Sequence, residues 1–215
     1  MQAVIFDMDG VLTDSEPVIC AAAQAMFKEY GLDVCGEDFV PFIGTGENRY
    51  LGGPAEKYGL CFDLMKAKAR TYEIYLEIMP EILQAFPGAV DFVRACKAAG
   101  LKTAVASSAD LIKVAANLEH IGIPSTEFDA VITAEKVEHR KPAPDIFLAA
   151  AKEIGVAPVD CCVIEDAVNG VEAAKAAGMT CIGVAQTFSA DKLAAADLVK
   201  PGMADLSVDE IQSLG

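Results

Sequence analysis

The segment that decides the fold is AVIFDMDGVL, residues 3–12. Its first four residues are apolar on both faces of an extended chain, which is typical of a strand buried in a parallel sheet. Asp7 and Asp9 follow directly, and Gly10 then lets the chain turn. Because side chains alternate along an extended chain, both carboxylates lie on the same side. The segment therefore predicts a buried strand that ends in a pair of acids.

Four more apolar runs follow this first one, and helical patterns that end at a glycine separate the later runs. The runs are TAVA at 103–106, AVIT at 130–133, CVI at 162–164 and CIGV at 181–184. The helical patterns cover 87–99, 144–154 and 168–177. This alternation favours an α/β fold in which helices cover both faces of a parallel sheet.

The region 15–85 breaks this alternation. It contains a helical pattern at 21–30, a glycine-rich patch at 44–53 and a long helical pattern at 63–79. We predict a mainly helical insert, or cap, over 15–85, and a core domain made of 1–14 and 86–215. We also expect a short strand and a helix within the last fifteen residues.

Composition excludes several classes of protein. The 215 residues include 32 acidic and 17 basic residues, which gives a formal net charge of −15. A nucleic-acid backbone would be repelled by such a chain, and no apolar run approaches the ~18 residues that a membrane span requires. We therefore expect no nucleic-acid partner and no membrane contact by this segment. The seven cysteines form no CxxC motif, which favours reduced thiols.

Polar side chains follow four of the five apolar runs, beginning with Asp7 and Asp9 after the first. Ser107 and Ser108 come after the second run, Lys141 comes after the third, and Glu165-Asp166 comes after the fourth. Each of these residues alone is explained by a helix cap, a turn or a solvated charge. The carboxyl ends of parallel strands, however, form the ligand crevice of such folds. Together the residues predict a polar site at that edge.

The acids of this edge point to a metal. Asp7, Asp9, Glu165 and Asp166 would bring up to four carboxylates near one point, which requires a cation between them. Oxygen ligands without a nearby histidine favour Mg²⁺ over Zn²⁺. One aspartate can then attack phosphorus while the other exchanges a proton with the leaving group or water. Mg²⁺ and Lys141 would offset the charge of the phosphate.

Four segments, in this order, resemble the motifs of the haloacid dehalogenase (HAD) superfamily. They are FDMDGVL at 6–12, ASS at 106–108, KPAPD at 141–145 and VIEDA at 163–167. The nearest subgroup is that of the β-phosphoglucomutase-like phosphatases. The resemblance implies a Rossmann-like parallel-sheet core with a helical cap inserted after the first strand.

The resemblance also implies roles for the core residues. Asp7 would be the nucleophile that forms an aspartyl-phosphate, and Asp9 the general acid and base. Two residues would hold the phosphoryl oxygens, Ser107 and Lys141. The Mg²⁺ cofactor would be bound by the Asp7 carboxylate, the Asp9 main-chain carbonyl and the Asp166 carboxylate, with Glu165 either a further ligand or beside the ligands.

Substrate contacts are expected from the cap loop and from the serine that follows the second run. We assign substrate binding to Ser108 and to five cap residues, Gly44, Thr45, Glu47, Asn48 and Arg49. For the cap glycines a hinge or turn is an open alternative, and for Arg49 a solvated side chain.

Three departures disfavour a phosphosugar mutase. The sequence pattern of those mutases has a histidine where this chain has Ile19 and an arginine where this chain has Glu47. It has a lysine and an asparagine where this chain has Asp110 and Leu111. The groups that would hold a second phosphate are therefore apolar or acidic here. Asp9 in turn disfavours a true dehalogenase, which lacks that acid. We expect a phosphatase, a hydrolase that acts on a small phosphorylated metabolite.

A finer resemblance concerns the cap. FVPF at 39–42, GTGE at 44–47, LGG at 51–53 and SSAD at 107–110 are similar to the stromal HAD domain of a multidomain thylakoid protein of plants and algae. It implies a location in the chloroplast stroma and flanking domains of a larger chain, with a cytoplasmic enzyme as the alternative. It also leaves open a regulatory or interaction domain with weak or no turnover.

Overall fold

The structure, a computed structural model, describes residues 1–214. They form two compact units: a core unit of residues 1–14 and 84–214, and a cap unit of Ser15–Leu83. The sequence placed the second boundary two residues later. Gln84 and Ala85 lie in the core unit because they pair antiparallel with Thr13 and Asp14.

The core unit contains a six-stranded sheet in the order β5-β4-β1-β6-β7-β8, and every neighbouring pair is parallel. The short strands β2 and β3 form the separate antiparallel pair. The predicted α/β class is confirmed. The strands are β1 Ala3–Phe6, β2 Thr13–Asp14, β3 Gln84–Ala85, β4 Lys102–Ala106, β5 Ala130–Ile132, β6 Cys161–Glu165, β7 Thr180–Val184 and β8 Leu198–Lys200.

The three helices α1 to α3 belong to the cap unit and the five helices α4 to α8 to the core unit. No helix within residues 1–214 is both long and apolar enough to cross a bilayer. The helices are α1 Glu16–Glu29, α2 Glu47–Tyr58, α3 Leu64–Ile82, α4 Ala89–Ala98, α5 Leu111–His120, α6 Asp145–Ile154, α7 Val168–Ala176 and α8 Val208–Ser213.

Strand β1 is buried on both faces, as its apolar sequence predicts. Val4 and Phe6 belong to the apolar cluster that α4, α5 and α8 cover, whereas Ile5 belongs to the cluster under α6 and α7. The Phe6 ring meets the ring of Phe92 edge-on at 6.2 Å. Each fully buried large side chain contributes roughly 1.5–3 kcal/mol to the free energy of folding. The strand that carries the two aspartates is thus held rigidly at the sheet centre.

In the cap unit, α1 packs along α3, and Arg70 on α3 donates to Glu29 at 2.7 Å. Helix α2 was not predicted, because the two glycines and the proline in its middle are poor helix formers. Packing explains one of these glycines: a Cβ at Gly53 would lie 2.1 Å from the Phe42 ring. Helix α5 is a second helix that the sequence analysis does not predict. At the end of the chain, α8 lies within the last fifteen residues and β8 just before them.

Two glycines at the ends of α4 allow a matched test of packing. Both have positive φ, but a Cβ at Gly88 would lie 2.6 Å from the Ala204 Cα atom, whereas a Cβ at Gly100 would meet nothing within 4 Å. Gly100→Ala should therefore lower the free energy of unfolding only by the backbone cost, about 1 kcal/mol. Gly88→Ala should lower it by about 1–3 kcal/mol more, since Ala204 must move. Urea denaturation measures both, and equal losses would contradict the packing at Gly88.

Candidate active site

The carboxyl ends of three neighbouring strands bring the predicted core residues together. Asp7 follows β1, Ser107 follows β4, and Glu165 ends β6, and these strands lie side by side with β1 in the middle. The Asp7 amide donates to the Ile164 carbonyl at 3.0 Å, and the Ser107 amide donates to the Ile132 carbonyl at 3.0 Å. The sheet register therefore continues into the first residue of the site.

Lys141 links two of these strand ends. Its Nζ atom donates to Asp7 Oδ1 at 2.5 Å and to Glu165 Oε1 at 2.5 Å, and it lies 3.3 Å from the Ala106 carbonyl oxygen. Only 3% of the lysine side chain is exposed. The ammonium also lies 4.8 Å from the centre of the Phe147 ring, where a cation–π interaction is favourable. Lys141 is thus a buried cation with two carboxylate partners.

Glu165 is fixed by both of its carboxylate oxygens. Oε1 accepts from Lys141, while Oε2 accepts from the amides of Asp166 and Ala167, both at 2.9 Å. Gly170 on α7 leaves room for this carboxylate, since a Cβ there would lie 1.8 Å from Oε1. Glu165 is therefore placed to orient the lysine.

The turn at Gly10 makes room for a third buried carboxylate, that of Asp166. Gly10 has φ +87°, and a Cβ at this residue would lie 1.9 Å from Asp166 Oδ2 and 2.7 Å from Thr187 Oγ1. Gln186 Nε2 donates to the Gly10 carbonyl at 2.7 Å and holds the turn. Glycine is thus required here both by the backbone angle and by the approach of Asp166.

Asp9, the second acid of the first motif, has a different lysine. Lys113 Nζ on α5 lies 3.0 Å from Asp9 Oδ1. The lysine side chain is 4% exposed and the aspartate side chain 31% exposed. The main chain of Asp9 is held by a β-bridge to Thr13. The two aspartates of one strand end are therefore each bound to their own ammonium group.

Burial and mutual repulsion shift the proton affinities of the site. The pKa of Asp7 is raised to about 7: burial has the largest effect, Lys141 opposes it, and the charges of Glu165 and Asp9 add to it. Burial also raises the pKa of Asp166 well above its usual range, and the charges of Glu165 and Asp7 add to this effect. For Lys141, burial lowers the pKa, but Asp7 and Glu165 outweigh burial and raise it overall. In formal charge, the site has more carboxylates than ammonium groups.

This excess charge fits a divalent cation. The carboxylates of Asp7, Asp9, Glu165 and Asp166 face the two ammonium groups of Lys141 and Lys113, which leaves two formal negative charges. Within residues 1–214 no three acidic, histidine or cysteine side chains are grouped in a ready metal-binding cluster. The carboxylates of Asp7 and Glu165 form ion pairs with the Lys141 ammonium. The donors that remain are oxygens, which suit a hard ion such as Mg²⁺.

The two serines after β4 differ in what they contact. Ser107 is fully buried, and its Oγ atom accepts from the Ala109 amide at 3.1 Å, so its hydroxyl hydrogen can be donated elsewhere. The main-chain carbonyl of Ser108 accepts from Arg140 at 3.5 Å. The Ser107 hydroxyl is therefore able to donate to an oxyanion.

The predicted substrate residues of the cap lie on one short stretch. Gly44 and Thr45 precede α2, and its first turn carries the other three, Glu47, Asn48 and Arg49. Thr45 Oγ1 donates to the Phe42 carbonyl at 2.7 Å, and Gly44 has positive φ. Arg49 donates to Glu56 at 2.9 Å and lies 5.1 Å from the centre of the Phe42 ring. Glu47 is buried. Substrate binding by these five residues stays a prediction.

The sequence did not predict several residues of the core site, notably Lys113, Arg140, Gly170 and Thr187. The helical pattern of 111–120 could have indicated helix α5, but not the burial of Lys113, because a lysine commonly borders the apolar face of an amphipathic helix. Gly170 and Thr187 gave no signal, since their role depends on which chains approach them.

The comparison with known proteins defines the class. Residues 1–178 match the family model of the haloacid dehalogenase-like hydrolases. The chain belongs to that family, and the family prediction is confirmed.

Two curated proteins and one solved structure are similar to this chain along its length. The chain is 50% identical over 220 residues to the chloroplastic protein Suppressor of Quenching 1 of Arabidopsis thaliana, covering 100% of this chain but only 21% of that protein. It is 32% identical over 206 residues to the phosphorylated carbohydrates phosphatase of Thermotoga maritima, covering 94% and 95% of the two chains. The crystal structure of β-phosphoglucomutase from Clostridium difficile superposes with a TM-score of 0.88 at 27% identity, covering 99% and 96%.

Replacing the buried lysine tests the charge balance without any assay of activity. Lys141→Met leaves Asp7 and Glu165 buried without their ammonium partner, and at pH 8 it should lower the free energy of unfolding by about 3–5 kcal/mol. The matched control is Lys102→Met, which removes an exposed lysine 2.7 Å from Asp129 and should cost less than about 1 kcal/mol. Urea denaturation in EDTA measures both. If Lys141→Met were no more costly than the control, Lys141 would not be the cation on which these carboxylates depend.

Proposed function

We propose that this chain is a phosphatase that hydrolyses a small phosphomonoester through an aspartyl-phosphate on Asp7. The observation that carries the proposal is the Asp7 carboxylate at the centre of the sheet edge, bonded to a buried lysine, with a second acid two residues further on. A nucleophile and a separate proton donor are what a two-step phosphoryl transfer requires.

In the first step an Asp7 carboxylate oxygen attacks phosphorus, and a new O–P bond forms as the bond to the leaving oxygen breaks. Asp9 gives its proton to that leaving oxygen. In the second step Asp9 takes a proton from water, whose oxygen attacks phosphorus and releases Asp7 and inorganic phosphate. Lys141 and Ser107 bind the phosphoryl oxygens, and this lowers the cost of bringing an anion to a carboxylate.

The proposed cofactor is Mg²⁺, held by the carboxylates of Asp7 and Asp166 and by the main-chain carbonyl of Asp9. When bound, the ion neutralises charge on the transferring phosphoryl group. Glu165 orients Lys141 in this account, since both of its oxygens already accept hydrogen bonds.

For the substrate we propose a phosphorylated sugar or a similar small metabolite, which the phosphatase relative from Thermotoga maritima supports by its name. A mutase is not proposed, because Ile19 and Glu47 are buried and Asp110 and Leu111 stand where a cation and an amide would be required. For the location we propose the chloroplast stroma, which the chloroplastic relative supports.

A second candidate is a regulatory or interaction domain of a larger protein. It is favoured by one observation: the chain spans about a fifth of the length of the first curated relative it matches. A panel of sugar and other small phosphomonoesters separates the two. Strong turnover of one metabolite supports the enzyme, whereas feeble turnover of all supports the regulatory domain.

Asp7→Asn tests the nucleophile. The amide is a very poor nucleophile, so phosphate release from the best ester of the panel should fall by about a thousandfold or more. Asp91→Asn, an exposed aspartate on α4, is the matched control and should leave the rate unchanged. Unchanged phosphate release by Asp7→Asn would refute the mechanism.

Chelation tests the metal. EDTA should abolish phosphate release, and added Mg²⁺ should restore it, because two negative charges at the site otherwise oppose phosphate binding. Asp166→Asn should raise the Mg²⁺ concentration for half-maximal rate by at least about tenfold, while Asp91→Asn should not. Full activity in EDTA, or an unshifted Mg²⁺ response in Asp166→Asn, would show that Asp166 holds no essential metal.

A further inference from the structure

Lys113 is a buried lysine outside the four motifs of the family. It is the third residue of α5, its side chain is 4% exposed, and its Nζ atom lies 3.0 Å from Asp9 Oδ1. Both residues belong to the core unit. The pair joins a helix to the end of the central strand, at the acid that the proposed function uses for proton transfer.

Folding alone does not favour a lysine here. Taking an ammonium group out of water is costly, and buried ion pairs are often matched or exceeded in stability by apolar side chains of similar size. Helix α5 already has apolar contacts through Val114 and Leu118, which belong to the core cluster. A lysine at 113 therefore calls for an explanation in terms of what its ammonium contacts.

The Lys113 ammonium contacts the carboxylate of Asp9, which must point in a fixed direction for the proposed proton transfer. The main chain at Asp9 is held by the bridge to Thr13 and by the Gly10 amide, which donates to the Thr13 carbonyl at 2.9 Å. The Asp9 side chain, however, is 31% exposed, far more than the 9% of the Asp7 side chain. A half-exposed carboxylate can rotate about its side-chain bonds, and the contact between Nζ and Oδ1 restricts that rotation.

We propose that Lys113 is a positioning residue for Asp9. By holding Oδ1 it fixes the plane of the carboxylate and so the direction of Oδ2 toward the oxygen that gains or loses the proton. The inference rests on the proposed function. It separates the two lysines by role: Lys141 serves the nucleophile, and Lys113 serves the proton-transfer group.

The test uses two esters that differ in how much they need a proton donor. The leaving group of an alkyl phosphate such as sorbitol 6-phosphate is a strongly basic alkoxide, so its departure depends on general acid catalysis. The leaving group of 2,4-dinitrophenyl phosphate is a stable phenolate anion, which needs no proton. Their kcat/KM values report phosphoryl transfer to Asp7. Lys113→Met should lower kcat/KM by about 10–100-fold for the alkyl ester and by less than about threefold for the aryl ester. Lys175→Met, which removes an exposed lysine 2.6 Å from Asp197, is the matched control and should change neither value.

A second arm repeats Lys113→Met in an Asp9→Asn background, where no further loss on the alkyl ester is expected because the lysine acts through Asp9. Equal losses on both esters, no loss on either, or a full additional loss in the Asp9→Asn background would overturn the proposal. If Lys113→Met does not fold, Lys113→Gln must give the same contrast between the esters. A wild-type chain that hydrolyses neither these two esters nor any member of the panel would instead refute the proposed function, together with the role that rests on it.

Discussion

The buried ammonium of Lys141 is the contact on which the site depends. It joins Asp7 at the end of β1 to Glu165 at the end of β6, with only 3% of its side chain exposed. Because each carboxylate would be costly to bury alone, the lysine allows two acids to lie inside the protein. Glu165 is in turn held by two main-chain amides and by the space that Gly170 leaves. Asp7, the proposed nucleophile, is therefore oriented by contacts that reach it through the lysine.

The four carboxylates of the site outnumber its two ammonium groups. Lys141 and Lys113 neutralise only part of the formal charge of the four carboxylates. Burial, with the charges of the neighbouring carboxylates added to it, raises the pKa values of Asp7 and Asp166. A protein that is already acidic overall would repel a phosphate, unless a cation is bound first. In the proposed function, the surplus negative charge would attract the cation that allows an anionic substrate to bind.

Much of the core could be predicted from the sequence, because buried parallel strands are short apolar runs and their polar ends converge at one edge. Asp7, Ser107, Lys141 and Glu165 were found in that way. Lys113 was not, because its pairing with Asp9 depends on how α5 lies against β1, which no local pattern records. Helix α2 was missed for a different reason: Gly52, Gly53 and Pro54 oppose a helix locally. Strands of two residues, such as β2, are too short to show a period.

The most direct test of the account is chemical identification of the phosphorylated residue. The protein is mixed with an excess of the best phosphomonoester, quenched in acid during turnover and reduced with borohydride, which converts a phosphorylated aspartate to homoserine. Mass spectrometry of the peptide that contains the first motif then locates the change. The account predicts homoserine at position 7 and an unmodified Asp9. Turnover with an unmodified Asp7, or conversion at Asp9 instead, would contradict it.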